Sequence, residues 1–352
     1  MDKKTPEERD PILQAAIDQR PFPGFPFEPE NRGDRRRHLD GVSYLLPAPR
    51  PIPEVIEGEL FVKARDGYQI KTKFYRSASG GEEKMPLVIL FHEGGWVMGD
   101  STDEDSNARV FARDLGCVVL NPEYRLAPEF VFPTGVLDCW DVLKWAAKAP
   151  LGAEPSKGFI VGGSSAGANI TAVLAHLAMK ENLQPPITGQ WLCVPYLLPP
   201  ELVPARYRDS YNSMWTNRVD PVLPPLLDGP SDKTIGFIST MLKADVHSPL
   251  FSPFAEEWYP GPEGAPRPLK AFFQVAGLDP LRDHALVYQR VLEEEWHVPT
   301  RLNLYERHGH MFWTNWPQIE RSKDYWKDMV DGMRWLLDDE SSSRSGCLLK
   351  KA

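Results

Sequence analysis

Apolar positions along the chain alternate between two spacings. Strand signals, several of them continuous apolar runs, occur at LVILFHE (87–93), CVVLN (117–121), GFIVGG (158–163), WLCV (191–194), LKAFFQVAG (269–277) and TRLNLYE (300–306). Runs of this length without polar alternation are the pattern of parallel strands buried on both faces. Ahead of them, ELFVKAR (59–65) and YQIKTKFYR (68–76) flank Asp66-Gly67, which predicts a hairpin with a two-residue turn. Between the runs the spacing becomes helical. Residues 134–148 put Val136, Leu137, Trp140, Leu143 and Trp145 on one broad face, and residues 166–181 do the same with Ile170, Val173, Leu174 and Leu177. Segments 283–296 and 318–337 read as two further helices. A hairpin followed by strand–helix alternation predicts an α/β fold, with a mostly parallel central sheet and helices on both sides.

Proline breaks this rhythm twice, at 21–31 and from Pro195 to about Pro253, out of 35 prolines in the chain. Neither stretch fits the alternation, so both are assigned to a lid over the sheet's C-terminal edge. The expected organisation is 1–45 as the N-terminal part of the lid, 46–196 as the first part of the core and 197–245 as a lid insertion. Residues 246–340 then complete the core, and 341–352 form a flexible tail. Aromatic residues are dense around the insertion. Tyr196, Tyr207, Tyr211, Trp215 and Phe237, with Trp96 from an earlier loop, are candidate substrate-binding residues for an apolar ligand.

A formal net charge of −9 and an isoelectric point near 5.5 exclude a nucleic-acid partner as an expectation, because phosphate binding needs a basic surface. The compact run Arg35-Arg36-Arg37 lies beside Asp34 and Asp40 and reads as a solvated turn. The charged start MDKKTPEERD lacks the apolar core of a signal peptide, and no apolar run approaches the ~18 residues of a membrane span. Cys117, Cys139, Cys193 and Cys347 are scattered without a paired spacing. Cys347 stands too far from the end for a prenylation box. A cytoplasmic protein with no membrane span is therefore expected.

The chemistry concentrates in four places. Gly163-Ser164-Ser165-Ala166-Gly167 matches G-x-S-x-G where a predicted strand turns directly into a predicted helix, the setting of a nucleophile elbow. Ser165 holds the elbow position, and the new helix aims its N-terminal N–H groups at the reaction centre. His92-Glu93-Gly94-Gly95-Trp96 ends another strand. Its glycines let the backbone approach a ligand, so Gly94, Gly95 and the Ala166 N–H form a candidate oxyanion hole. A hydroxyl nucleophile needs a base, and the base an orienting acid. Asp279 follows the strand 269–277, and His310 follows the strand 300–306. In this fold the order is serine, acid, histidine.

These motifs together resemble the hormone-sensitive-lipase group of α/β-hydrolases, in a form similar to fungal or plant carboxylesterases. HEGGW resembles the group's H-G-G-G-[FW] loop, and Tyr124-Arg125-Leu126-Ala127-Pro128-Glu129 with Phe132-Pro133 its YRLAPE…FP segment. GSSAGAN resembles GDSAGGN. Ser248-Pro249-Leu250 with Ser252-Pro253 resembles SPLxSP, Asp279 to Asp283 resembles DPLRD, and His310-Met311-Phe312 resembles HGF. The resemblance implies an α/β-hydrolase fold, with Asp279 as the acid and His310, not His308, as the base. Asp283 is then a helix N-cap, and His92 shapes the oxyanion loop. It also implies no cofactor and no metal. The expected activity is serine-dependent hydrolysis of a small or medium apolar carboxylic ester or lactone. The alternative is an acyltransferase or cyclase using the same triad. A non-catalytic receptor, as in the plant gibberellin receptor that resembles this group, is disfavoured because all three triad residues are retained. Three departures stand out: Glu93 for a glycine, Ser164 for an aspartate and Ala168 for a glycine. A carboxylate facing the oxyanion would oppose catalysis, so Glu93 is expected to turn away from Ser165 and pair with a cation or a backbone donor.

Overall fold

The computed structural model describes residues 8–22, 51–79, 84–223, 241–259, 270–338 and 346–348. Its strands are β1 (Val55–Lys63), β2 (Gln69–Ser77), β3 (Leu87–Phe91), β4 (Val118–Pro122), β5 (Phe159–Ser164), β6 (Gly189–Cys193), β7 (Ala271–Ala276), β8 (Thr300–Tyr305) and β9 (Gly346–Leu348). They form one sheet in the order β1-β2-β4-β3-β5-β6-β7-β8-β9. β2 runs antiparallel to β1 and β4, and the pairs from β4 through β3 to β9 are parallel. This is the α/β-hydrolase fold. The opening hairpin turns more widely than expected. Gly67 donates to the Ala64 carbonyl, and Tyr68 closes the ladder by accepting from Ala64, so Asp66 and Gly67 belong to a longer loop. Within 341–352, read from sequence as a flexible tail, Gly346–Leu348 instead pairs with β8.

The helices are α1 (Pro11–Gln19), α2 (Asp105–Leu115), α3 (Thr134–Ala146), α4 (Ala166–Lys180), α5 (Arg282–Arg290) and α6 (Glu320–Leu337), with shorter turns between. They divide by sheet face. On one face Leu87, Ile89 and Phe91 pack with Cys139 and Leu143 of α3, Ile170 of α4 and Val287 of α5. On the other, Val88 and Leu90 pack with Leu13 of α1, Ala108 and Phe111 of α2 and Met329 and Met333 of α6. A sheet sandwiched this way has strands apolar on both faces, as the uninterrupted runs require. All the loops that carry candidate chemistry leave the C-terminal ends of β3, β5, β7 and β8. In an open parallel sheet that edge is where ligands bind.

Among the described residues, no helix is long and apolar enough to cross a membrane. Cys117, Cys139 and Cys193 are free and buried.

Candidate active site

Ser165 occupies the single residue between β5 and α4, with φ 52° and ψ −113°. A non-glycine residue with positive φ is strained, and strain of this kind persists where the surroundings enforce it. Here the enforcement is steric and can be read atom by atom. A Cβ at Gly163 would lie 2.3 Å from the Phe91 carbonyl oxygen, and one at Gly167 only 1.8 Å from the same atom. The end of β3 therefore presses on both sides of the turn, and only glycine fits at either position. The Ser165 N–H donates to the Cys193 carbonyl at 2.8 Å, tying the turn to β6. The serine side chain stays half-buried, open to the strand edge.

The loop after β3 is also set by backbone geometry. Gly94, Gly95 and Trp96 have φ of 105°, 59° and 63°. Val97 and Met98 both donate to the Gly94 carbonyl, at 3.1 and 3.0 Å, curling the loop into a tight turn. A Cβ at Gly94 would meet the Met98 carbonyl oxygen at 2.4 Å. His92 supports this turn. Its Nδ1 donates to the Glu93 carbonyl at 2.7 Å, its ring stacks on Tyr124 at 4.1 Å, and its own carbonyl accepts from the Tyr124 hydroxyl. Among the described residues, no backbone hydrogen bond takes the N–H of Gly94, Gly95 or Ala166.

Asp279 and His310 meet. The carboxylate accepts from His310 Nδ1 at 2.6 Å, with both side chains buried. The other Asp279 oxygen accepts from the Leu281 N–H at 2.7 Å. Burial alone would lower the His310 imidazole; Asp279, followed by Asp220 and Glu93, outweighs it and leaves the ring raised above an ordinary histidine. His308 faces elsewhere. Its Nδ1 donates to the Glu306 carbonyl, its ring packs on Phe312, and burial holds it below the usual value.

Glu93 breaks from its expectation in one respect. It stands near a second carboxyl rather than a cation: Glu104, the residue before α2, which accepts from Asn107 Nδ2. Burial, then Glu104, pushes Glu93 up to about 8, and burial pushes Glu104 up to about 7. Two neighbouring carboxyls, Glu104 buried and Glu93 half-buried, oppose each other's ionisation. Glu93 also lies within Coulombic reach of His310.

Asp283 is not the N-cap of its own helix. Its Oδ2 accepts from the N–H groups of Asn212 and Ser213, both at 2.7 Å, so it caps the short helical turn Ser213–Thr216 of the inserted segment. Leu281 holds the cap position of α5 without a side-chain bond.

The candidate substrate-binding residues separate. Trp96 and Tyr196 pack edge-on at 5.8 Å, and both contact Phe251. Tyr207 does not line a pocket: it is fully buried, and its hydroxyl donates to Glu295. Tyr211 is likewise a packing residue, with its hydroxyl between the Leu198 carbonyl and His284. Trp215 lies at the surface against Tyr211. Phe237 lies outside the described residues. A narrow aromatic cleft lined by Trp96, Phe130, Phe132, Leu242, Leu250 and Phe251 opens beside the oxyanion loop, with Asn169 of α4 on its wall. Phe130 and Phe132, with Phe251, escape a sequence reading because they come from two segments that only the fold brings together. Asp220, which accepts from the His310 N–H at 2.6 Å, escapes for the same reason.

Known proteins resemble this chain. A Schizosaccharomyces pombe protein of the AB hydrolase superfamily is 33% identical over 291 residues, 82% of each chain. The versiconal hemiacetal acetate esterase of Dothistroma septosporum is 30% identical, over 84% of this chain and 86% of that one. The crystal structure of vibralactone cyclase superposes with a TM-score of 0.81 at 27% identity, covering 96% of this chain and 97% of its own. Residues 88–314 match the family described as alpha/beta hydrolase fold. The chain is an esterase-like enzyme and belongs to the α/β-hydrolase family, in its hormone-sensitive-lipase and carboxylesterase branch.

Proposed function

We propose that this enzyme is a serine-dependent carboxylic ester hydrolase working through an acyl-enzyme. The observation that carries the reading is Ser165 held at φ 52° after β5, with a 2.6 Å His310–Asp279 pair on the loops after β8 and β7 at the same edge of the sheet. Ser165 attacks the ester carbonyl while His310 Nε2 takes its proton and Asp279 holds the ring in the required tautomer. The N–H groups of Gly94, Gly95 and Ala166 bind the tetrahedral oxyanion. The ester C–O bond breaks as His310 returns the proton to the leaving alcohol. Water then repeats the sequence on the acyl-enzyme and releases the acid. The inserted segment 197–245 serves as cover over this edge. The aromatic cleft beside Trp96 favours a small or medium apolar acyl or ring group, which also suits an ester or lactone of the kind the versiconal relative's name describes.

A second reading has one specific observation behind it: the TM-score of 0.81 to a cyclase. With the same triad, an acyl-enzyme whose water is excluded can pass its acyl group to an internal hydroxyl and close a lactone.

A fluorophosphonate probe followed by peptide mapping tests the serine. Label is expected on Ser165 and absent from Ser164, and Ser165→Ala is expected to abolish labelling and turnover while keeping the fold. Persistent labelling in Ser165→Ala sinks the assignment. Product analysis on an ester chain-length panel, free acid against lactone, decides between hydrolysis and cyclisation.

A further inference from the structure

The acid and base loops do not stand alone. A stretch of the inserted segment, residues 212–220, bonds to both. Asn217 Nδ2 donates to the carbonyls of Gly277 and Asp279, at 3.1 and 2.8 Å. Ser213 Oγ donates to the Pro280 carbonyl at 2.7 Å. Asp220 ends the stretch. Its Oδ1 accepts from the N–H groups of Val222 and Leu223, at 2.7 and 2.8 Å, and its Oδ2 turns the other way to accept from the His310 N–H at 2.6 Å.

A local turn explains the first two bonds. Aspartate commonly accepts from amides two and three residues on. It does not explain the third, which crosses 90 residues of sequence to the backbone of the histidine. Nor does it explain Gly309. A Cβ there would meet Pro221 Cδ at 2.3 Å and Asp220 Oδ2 at 2.8 Å, so the histidine's neighbour lacks a side chain where the carboxylate comes in. The carboxylate is buried, and its environment is one of charge. Asp279 and His310 face it, and His310 in turn faces Asp279, Asp220 and Glu93.

We infer that Asp220 is a positioning residue for the base. It fixes the His310 backbone and supplies a second negative charge that stabilises the imidazolium formed in each acyl-transfer step. The inference rests on the serine-hydrolase reading above. Its chemistry is self-consistent in sign. Burial and Asp279 raise the Asp220 carboxyl to about 7, while His310 lowers it, so protonating the imidazole draws Asp220 toward its ionised form when the charge is needed. The consequence is a physical link between the cover of the site and its base, because the residue that holds the histidine belongs to the inserted segment.

The test uses the full-length protein with Asp220→Asn, Asp220→Ser and Asp220→Glu. Serine keeps a side-chain acceptor for the local turn while losing the reach to His310, so folding and positioning are separated. Both neutral variants are expected to lower kcat roughly tenfold or more, a part of the ~10²–10⁴ that general-base catalysis contributes, with KM little changed. Both are expected to move the acid limb of kcat/KM to lower pH, since removing a neighbouring negative charge makes the imidazole easier to deprotonate. Asp220→Glu, which keeps the charge, is expected to leave the acid limb near its wild-type position. An NMR titration of the His310 imidazole in Ser165→Ala, with and without Asp220→Ser, reads the same shift without any turnover. An acid limb and imidazole titration unmoved in both neutral variants overturns the inference. Failure of the underlying reading looks different: Ser165→Ala would then retain activity or label, whatever Asp220 does.

Discussion

The two halves of the candidate site are built by different physics. The half that carries Ser165 and the oxyanion N–H groups is made of backbone and absence: glycines at 94, 95, 163 and 167, with the Phe91 carbonyl pressing on the serine turn from both sides. The half that carries Asp279 and His310 is made of polar side chains crossing between the core and residues 212–220: Asn217 to the acid loop and Asp220 to the base, with Asp283 of α5 reaching back to the Ser213 turn. Sterics of the first kind are unforgiving, because no rotamer relieves a backbone clash. Hydrogen bonds of the second kind are graded, each worth ~0.5–1.5 kcal/mol net and more when a charge is involved. The first half should therefore fail abruptly when altered, and the second by degrees.

The sharpest break in that contrast comes from one methyl group. In Gly167→Ala the new Cβ would lie 1.8 Å from the Phe91 oxygen, and also 2.5 Å from the Phe91 carbonyl carbon, so strand and helix must separate. Overpacking costs ~1–3 kcal/mol where side chains can yield, and here the obstacle is backbone. We expect either insoluble protein or a folded protein with the elbow displaced and fluorophosphonate labelling lost. A Gly167→Ala protein with wild-type thermal midpoint and labelling rate would show that the turn is not sterically enforced.

The opposite half should respond mildly. Asp283→Ala leaves the N–H groups of Asn212 and Ser213 without their acceptor. The loss of a helix cap typically costs ~0.5–2 kcal/mol, read as a lower midpoint in thermal or urea unfolding. Activity should fall only in proportion to the loosened Asn217 and Ser213 contacts, with the pH profile unmoved. Asp279→Asn is the control: it leaves His310 Nδ1 without its anion and should be severely inactive at nearly unchanged stability. If Asp283→Ala instead matched Asp279→Asn in activity, the assignment of acid and brace would be reversed.

How much of this was legible in the sequence follows the same division. The glycine-built half announces itself, because a motif of small residues at a strand end has few physical readings. The sheet was legible for a similar reason: strands buried on both faces must be uniformly apolar, and Leu87–Phe91 or Ala271–Ala276 could be little else. α2 was not legible. Its DSNARVFARDL turns Asp105, Asn107 and Arg109 inward, and Asp105 is satisfied by Lys73, Tyr75 and Arg109. An inner face that mixes Ala108, Phe111 and Ala112 with charges paired to another strand shows only a short apolar period. The polar brace was hidden likewise. Asp220 and Asn217 look like ordinary loop residues until the fold carries them to loops 90 and 62 residues away. Tyr207 and Tyr211 misled in the other direction, since aromatic density marks packing as readily as a pocket. Asp283 was assigned to the right kind of task on the wrong helix, because sequence shows only its own.

Glu93 crosses the division, and the smallest expected effect tests where it belongs. It sits in the glycine-built loop but feels, as the polar half does, a charged group from another segment, Glu104. One Glu104 oxygen, Oε1, is buried without a hydrogen-bond partner among the described residues, and a proton on that carboxyl spares it a bare buried charge. Below about pH 7 the pair carries at most one negative charge. As pH rises through about 8, where burial and Glu104 have pushed Glu93, the second carboxyl ionises. The sign follows directly. A carboxyl raised in the folded state contributes stability that is full at low pH and is lost as pH rises through its folded value. The extra charge also lies on the residue preceding Gly94, where it opposes the developing oxyanion. Wild type should therefore lose thermal midpoint from about pH 4.5 up to about pH 8 and level off above it, and lose a several-fold part of kcat/KM between about pH 7 and 9. In Glu93→Gln and in Glu104→Gln the second ionisation cannot occur, so both declines should flatten, while the His310 acid limb stays or moves slightly lower in Glu93→Gln. Comparing ester hydrolysis with transfer to an added alcohol in Glu93→Gln completes the test. Loss of transfer alone would make Glu93 a contact for the acyl acceptor. A large gain in hydrolysis at pH 7 would mean the carboxylate faces the oxyanion unprotonated, and the pair with Glu104 would then not be holding its proton.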